Sequence, residues 1–247
     1  MQRILKYTSS LILCMLVYSS LAQKEKKLPP VNTAPFFNGV IVQADVASIA
    51  GSIFSNGTTY SYEASAQADF KHKLLPVIEL GYAGANKLST ENIGFKTNAP
   101  FGRIGIDLNL LTPKKDARPT SNLFIVGLRL GMTNFKYNIS NIIITDDYWG
   151  GTQPISYNNI STTKVWYEIV AGVKVEVLKN VFMGWTVRSK SLLSNDAAGN
   201  ISPWFIPGFG TNNGNNYEIS YTIGYRFQLP ANVKQAHSSK KTDSVTK

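Results

Sequence analysis

Hydrophobic and polar residues alternate along most of the chain between residues 36 and 229. The clearest run covers residues 60–70, where aromatic residues and alanines occupy one face and Ser, Glu, Gln and Asp the other. Residues 217–227 repeat the pattern, with Tyr, Ile and Phe set against Glu, Ser, Thr, Gly and Arg. A helix repeats about every 3.6 residues, whereas a strand with one apolar and one wet face repeats every second residue. Both runs therefore predict β-strands.

Six further runs follow the same rule, at residues 39–49, 74–84, 101–111, 123–136, 164–177 and 181–192. Most reach the roughly 9–11 residues that a tilted strand needs to cross a membrane, whereas strands of soluble proteins average about 5–6 residues. No apolar run approaches the roughly 20 residues of a membrane-spanning helix. We predict an all-β fold, a single antiparallel transmembrane β-barrel, with eight strands as its count.

The predicted connections alternate between long and short. Long loops are expected near 50–58, 85–100, 138–162 and 194–216, tight turns at 71–73 and 178–180, and a polar link at 112–122. Outer-membrane barrels combine long extracellular loops with short periplasmic turns in this way. An even number of strands also places both termini on the periplasmic side.

The two faces of the predicted strands differ in a way that indicates which one meets lipid. The charged face carries many glycines, which suits the cramped interior of a small barrel, and the opposite face holds hardly a charge. Charges in a narrow lumen must be paired, because isolated burial is costly. Glu79 with Arg103 and Arg129 with Glu168 are the expected pairs. The predicted lumen network is Glu63, Glu79, Arg103, Asp107, Arg129, Glu168, Lys174, Glu176, Arg188, Glu218 and Arg226.

The first 22 residues are typical of a secretory signal peptide. Arg3 and Lys6 precede an apolar stretch at 11–17, and Ser20 and Ala22 form a small-x-small cleavage site. Cleavage would remove Cys14, and with it any disulfide or cysteine nucleophile. The remaining segments are predicted as a flexible N-terminal stretch at 23–35, the barrel at 36–229 and a flexible basic tail at 230–247.

The net charge of +10 belongs mostly to these terminal segments. Two basic residues lie in the signal peptide, residues 23–35 add three lysines against one glutamate, and residues 230–247 add four lysines against one aspartate. The core is left with about +3 and no basic stripe, so nucleic-acid binding is not expected. With 16% charged residues the chain is charge-poor, which agrees with a large lipid-facing surface.

Several stretches resemble a known family. PVIELGYA (76–83), FGRIGIDLNLL (101–111), NLFIVGLRLGMTNFKY (122–137), VAGVKVEVLKNVFMGWTVRSKSLLS (170–194) and WFIPGFG (204–210) are similar to a Gram-negative outer-membrane β-barrel domain family of unknown function. The resemblance spans residues 37–229 and implies location and fold, but no activity. Residues 222–229 also resemble the last-strand signal read by the barrel-assembly machinery, with Leu229 where an aromatic residue is usual.

Candidate catalytic and metal-binding residues are scarce. The two histidines, His72 and His237, fall in a predicted periplasmic turn and in the tail, away from the outer rim where a substrate would arrive. His72 is expected to be a solvated turn residue. Asp146 and Asp147 lack the ligand spacing of a calcium loop, and no phosphate loop or zinc motif occurs. We therefore expect no catalytic residues, no metal and no cofactor.

The aromatic residues of the long loops are the remaining candidate site. The aromatic residues Tyr148, Trp149, Trp204, Phe205 and Phe209 are predicted either to form a contact patch for an extracellular glycan, lipid or protein, or to belong to the interfacial aromatic girdle or pack on each other across the barrel rim. The leading hypothesis is a non-enzymatic outer-membrane protein that displays loops 138–162 and 194–216. A narrow channel for small solutes or ions, a soluble secreted ligand-binding β-barrel and a lipid-acting enzyme are the alternatives. The expected partners are outer-membrane lipid and the assembly machinery.

Overall fold

The computed structural model describes residues 36–55, 57–111, 122–146, 151–194 and 201–228. The predicted signal peptide, the N-terminal segment at 23–35 and the basic tail at 230–247 lie outside these residues. Within the described part of the chain, no helix is long and apolar enough to cross a membrane.

The described residues form one closed antiparallel barrel of eight strands, as predicted. Going round the barrel the order is β1-β10-β7-β6-β5-β4-β3-β2, and a separate two-stranded hairpin, β8–β9, lies between β7 and β10 in the chain. The elements are β1 (Phe37–Asp45), α1 (Val46–Phe54), β2 (Thr59–Phe70), β3 (Leu74–Leu88), β4 (Gly94–Asn109), β5 (Leu123–Asp146), β6 (Gly151–Leu178), β7 (Val181–Leu192), β8 (Phe205–Ile206), β9 (Gly210–Thr211) and β10 (Asn215–Phe227).

The barrel has an apolar exterior and a charged interior, the reverse of the distribution in a soluble protein. Large apolar side chains cover the exterior; Leu128 is 61% exposed and Trp185 62% exposed. Charged side chains of the opposite parity fill the interior, where Arg103, Asp107 and Glu168 are buried. The alternation in the sequence therefore assigns the two faces correctly. A soluble ligand-binding barrel requires an interior lined by apolar side chains, whereas the middle of this barrel is lined by charged ones.

The apolar exterior has the height of a bilayer core. Along β5 every outward residue from Phe124 to Met132 is apolar and exposed. Nine residues at about 3.3 Å each extend about 30 Å, and a strand tilt of about 40° reduces the height to about 23 Å. The lipid-facing band of outer-membrane barrels is about 25 Å tall. We call the end bearing the long β5–β6 hairpin the upper end, and the end with Phe37 and Phe227 the lower end.

Two of the predicted long loops are mostly strand. Residues 85–100 belong largely to β3 and β4, which leave only 89–93 between them, and residues 138–146 and 151–162 form the upper parts of β5 and β6. Inward residues such as Phe135 and Tyr137 stay apolar there, while outward Asn134 and Lys136 are polar. The prediction ended these strands within a few residues of the point where the outward face becomes polar. That point marks the edge of the apolar band, whereas the hydrogen-bonded ladder continues above it.

The first strand is shorter than predicted, because residues 46–49 are helical. The carboxylate of Asp45 accepts hydrogen bonds from the backbone N–H groups of Ala47 (2.9 Å) and Ser48 (3.4 Å), which starts α1. Above Asp45, β2 and β10 have no strand between them, and α1 packs against both. The Ser52 hydroxyl accepts from the backbone N–H of Ser61 on the open edge of β2 at 3.1 Å. A short helix thus completes the wall.

Candidate functional site

The interior charges of the barrel form the candidate site, and Glu79 lies at its centre. Its Oε2 atom is 2.9 Å from Nη1 of Arg188 and 3.2 Å from Nη1 of Arg103. Its Oε1 atom is paired with Arg129, which also reaches Oδ2 of Asp107 at 3.2 Å. One buried carboxylate therefore holds three guanidinium groups from β4, β5 and β7, and ties three walls of the barrel together.

Arg103 joins the central carboxylates to the upper part of the lumen. Its guanidinium contacts Oε2 of Glu63 at 2.7 Å and Oε1 of Glu168 at 2.8 Å. It also donates to the carbonyl oxygen of Gly208, in the β8–β9 hairpin, at 2.6 Å. Glu168 accepts a further hydrogen bond from Nε1 of Trp166 at 2.7 Å. Multiple partners of this kind offset the desolvation cost of buried ions.

Two lysines complete the set at different heights. Lys190 pairs with Glu218 near the upper mouth. Lower down, Nζ of Lys174 lies 2.5 Å from Oε1 of Gln67, whose Nε2 donates to Oδ2 of Asp107 at 2.7 Å. Gln67 thus relays between a buried lysine and a buried aspartate. It lies on the inward face of β2 and has no charge, so charge counting in the sequence does not find it.

These contacts connect ten charged side chains that we call the central network. Five are acids and five are bases, so the formal charges cancel, which a closed low-dielectric interior requires. The members are Glu63, Glu79, Asp107, Glu168 and Glu218 with Arg103, Arg129, Lys174, Arg188 and Lys190.

Glycines on the inward face give these long side chains their room. A Cβ atom on Gly131 would lie 2.3 Å from the Trp166 ring, and one on Gly81 would lie 2.2 Å from the Phe101 ring. A Cβ on Gly105 would come within 2.5 Å of the Arg129 side chain. The narrow lumen therefore requires glycine opposite each large group, as the sequence pattern predicts.

Two apolar clusters close the lumen below and above the charges. The lower cluster is Ile41, Leu75, Leu123 and Ile125. The upper cluster contains Phe95, Phe101, Phe135, Tyr137, Ile139 and Trp166 together with Ile206 and Phe209 of the β8–β9 hairpin. The sequence reasoning missed both clusters because it sought charges on this face. The sequence did contain a signal for the upper cluster, because residues two apart on a strand share a face. Phe101 lies two residues before Arg103, and Trp166 lies two residues before Glu168, so both rings face the lumen.

The β8–β9 hairpin folds into the upper mouth and acts as a plug. Phe209 is 1% exposed, and its ring centroid is 5.9 Å from that of Trp166. The Gly208 carbonyl accepts from Lys190 at 2.8 Å as well as from Arg103. Gly208 has a φ of 80°, and a Cβ there would lie 2.4 Å from the Phe101 ring, so this close approach requires glycine.

The predicted aromatic contact patch is wrong for Phe209, because the plug buries that side chain. Trp204 is half-buried and stacks on Phe95 at 5.5 Å, and half-buried Phe205 lies under Nζ of Lys87 at 5.8 Å. Tyr148 and Trp149 lie outside the described residues. The described loop aromatics, Trp204, Phe205 and Phe209, thus pack at the upper mouth of the barrel.

Two residues predicted for the lumen network lie near the lower rim. Arg226 stacks on Phe182 at 4.4 Å and approaches Asp69 at 3.5 Å, while Oε1 of Glu176 accepts from the backbone N–H of Asn180 at 2.8 Å. These contacts stabilise the lower turns. The central network is several residues away along each strand.

Two other expectations about individual contacts are wrong. Arg129 and Glu168 face each other in register, yet their charges pair elsewhere, because Arg129 turns to Glu79 and Asp107. His72 is not simply solvated, since its Nδ1 lies 3.0 Å from Oδ2 of Asp69. It occupies a two-residue turn with Lys71, and both residues have positive φ.

A group of carboxylates and a small pocket lie at the upper mouth. Asp45, Glu63 and Glu218 place oxygen atoms within 4.8 Å of one another. Each is already engaged: Asp45 caps α1, Glu63 binds Arg103, and Glu218 binds Lys190. A pocket of about 250 Å³ lies between α1, β2 and the plug. The carboxylates thus serve the wall and the network, and we assign no metal to them.

Comparisons with known proteins add a family but no activity. A family model described as a domain of unknown function (DUF6048) matches residues 4–233. No curated protein matches the chain. Among solved structures, the crystal structure of Neisserial surface protein A (NspA) is similar at 16% sequence identity and a TM-score of 0.33, over 77% of this chain and 96% of that chain. A similarity at this level carries no argument about function.

Proposed function

We propose that this chain, which belongs to the DUF6048 family of domains of unknown function, is a non-enzymatic outer-membrane barrel that acts as a sealed structural or surface protein. The observation that carries the proposal is the filled lumen. The central network, the two apolar clusters and the β8–β9 plug occupy the interior from the lower to the upper end.

The exterior supports placement in an outer membrane. Its apolar band is about 23 Å tall, and closed barrels are one of the two backbone arrangements that satisfy every backbone hydrogen bond inside lipid. The predicted signal peptide supports export. In the orientation typical of such barrels, the lower end, which carries the turns at 71–73 and 179–180, faces the periplasm, and the β5–β6 hairpin stands above the outer surface.

The interior argues against a channel. A conducting pore needs a continuous water path, whereas Glu79, Arg103 and Arg188 are each within 3.2 Å of an oppositely charged group in the middle of the barrel. The plug and the upper cluster then cover this layer. We propose that the upper β5–β6 hairpin is the part displayed for contact with an extracellular glycan or protein.

Planar-bilayer recording on the purified, refolded protein tests the sealed lumen. We expect no steady unitary conductance from the wild-type protein. Steady conductance that changes when Arg129→Gln or Glu79→Gln is introduced would contradict the proposal in favour of a narrow channel.

Two further measurements test the fold in the membrane. Heat-modifiable gel mobility is expected for a closed barrel, and protease added to intact cells should cleave within 138–162 while sparing the apolar band. A freely soluble monomer with unshifted mobility would overturn the membrane placement independently of the conductance result.

A further inference from the structure

The outer surface of the barrel changes abruptly just above the apolar band on β4 and β5. The last apolar outward residues are Pro100 on β4 and Met132 on β5. Above them the exposed outward positions carry Lys96 on β4 and Lys136 on β5, each four residues from the edge of the band. Four residues on a strand tilted by about 40° correspond to about 10 Å of height. Lysine keeps its charged end in the polar layer while its stem covers apolar surface, so we place both ammonium groups at the height of the headgroups.

The register of β4 and β5 makes the two lysines neighbours. Lys96 faces Asn138, and Asn98 faces Lys136, so the lysines are diagonal partners on one face of the sheet. Diagonal partners have Cβ atoms about 7–8 Å apart, which lets both side chains reach one bound group. Within the described part of the chain, neither lysine forms an ion pair. Two adjacent cations without a counter-charge repel each other, and an anion between them removes that cost.

A groove of about 510 Å³ connects the lysines to the apolar band. Tyr82 and Pro100 line it at the height of the band edge, while Lys96, Lys136 and the amides of Asn98 and Asn134 line it above. The groove is thus basic and rich in hydrogen-bond donors at the top and apolar at the bottom. That order matches an amphiphile standing in a bilayer with its headgroup uppermost.

We propose that this groove, which we call the Lys96–Lys136 groove, binds the phosphate group of an amphiphile in the outer leaflet, whose acyl chains lie along the apolar band below. The proposal rests on the proposed outer-membrane placement. Two exposed lysines are a weak site for free inorganic phosphate, because water screens each contact. Contact between acyl chains and the band supplies the rest of the binding free energy for a lipid. The groove therefore selects a phosphate that is attached to an apolar anchor.

Binding of purified lipid A to the refolded protein in neutral detergent micelles, measured by isothermal titration calorimetry, tests this site. The test variant is Lys96→Gln with Lys136→Gln. The matched control is Lys73→Gln with Lys179→Gln, which removes the same charge from the turns at the lower end. At about 1 kcal/mol for each lysine near an anionic lipid surface, the test variant should bind about 30-fold more weakly. The control should bind like the wild type, and added salt should weaken binding to the wild type.

Three results would overturn the proposal. The first is equal affinity of the test variant and the wild type for lipid A. The second is equal affinity of the wild type for lipid A and for dephosphorylated lipid A. The third is full competition by millimolar inorganic phosphate, which would indicate a site for the free anion. Heat-modifiable mobility is measured on the same samples, so that a variant that fails to fold is recognised. If the wild-type protein shows no heat-dependent shift in gel mobility, the proposed membrane barrel is wrong. If the shift is present but lipid A binding does not depend on the two lysines, only the proposed groove is wrong.

Discussion

Replacing Glu79 with glutamine tests the central network directly. The residue is 3% exposed, and its carboxylate holds Arg103, Arg129 and Arg188. Glutamine has nearly the same shape, so the substitution removes the negative charge and leaves the packing in place. The five acids and five bases then become four and five, and one buried guanidinium loses its compensation.

The expected loss of stability follows from this imbalance. Removing one partner of a buried ion pair costs about 3–5 kcal/mol, because the remaining charge stays desolvated. Since about 1.4 kcal/mol changes an equilibrium constant tenfold, Glu79→Gln should lower the folding equilibrium constant by more than a hundredfold. The control Glu218→Gln makes the same chemical change at a side chain with one lysine partner near the mouth. It should cost less than Glu79→Gln, because the Glu218 side chain is 26% exposed and Lys190 keeps its hydrogen bond to the Gly208 carbonyl.

Urea unfolding of the refolded barrel in lipid vesicles, followed by heat-modifiable mobility, measures both variants. The double variant Glu79→Gln with Arg129→Met restores the balance of charges, and it should recover part of the loss. The reasoning is refuted if Glu79→Gln and Glu218→Gln lose the same small amount, because that would mean water already solvates the centre of the lumen.

Three smaller predictions concern packing, capping and the plug. Gly131→Ala should lower the free energy of unfolding by about 1–3 kcal/mol, because the new Cβ would overlap the Trp166 ring. Gly102→Ala should be close to neutral, because its Cβ would lie 3.7 Å from the nearest atom. The urea midpoints of the two variants test this difference. Asp45→Ala should speed hydrogen exchange of the α1 amides and cost about 1 kcal/mol, while Asp45→Asn keeps the cap and most of the protection. Phe209→Ala should cost about 3–5 kcal/mol and open the mouth to protease; unchanged protection there would contradict the plug.

Local patterning was enough to predict the strands and their two faces. Period-two alternation is a property of neighbouring residues, so residues 60–70 and 217–227 identify lipid-facing and lumen-facing sides without any knowledge of their partners. The same reasoning ended the fifth strand at residue 136, whereas β5 continues to Asp146, because a change in outward polarity reports the membrane and not the backbone pairing.

The identity of the charge partners required the closed barrel. Arg188 meets Glu79 across the lumen although the two are 109 residues apart, and Arg129 prefers Glu79 and Asp107 over Glu168, which faces it in register. The tilt and stagger of the strands decide which side chains share a height inside the barrel. The inward position of the plug also depends on the closed barrel, because no feature of the sequence around Phe209 shows that its loop turns inward to Trp166. The sequence by itself determined that charges fill the interior; only the closed structure determined which of them pair and what covers them.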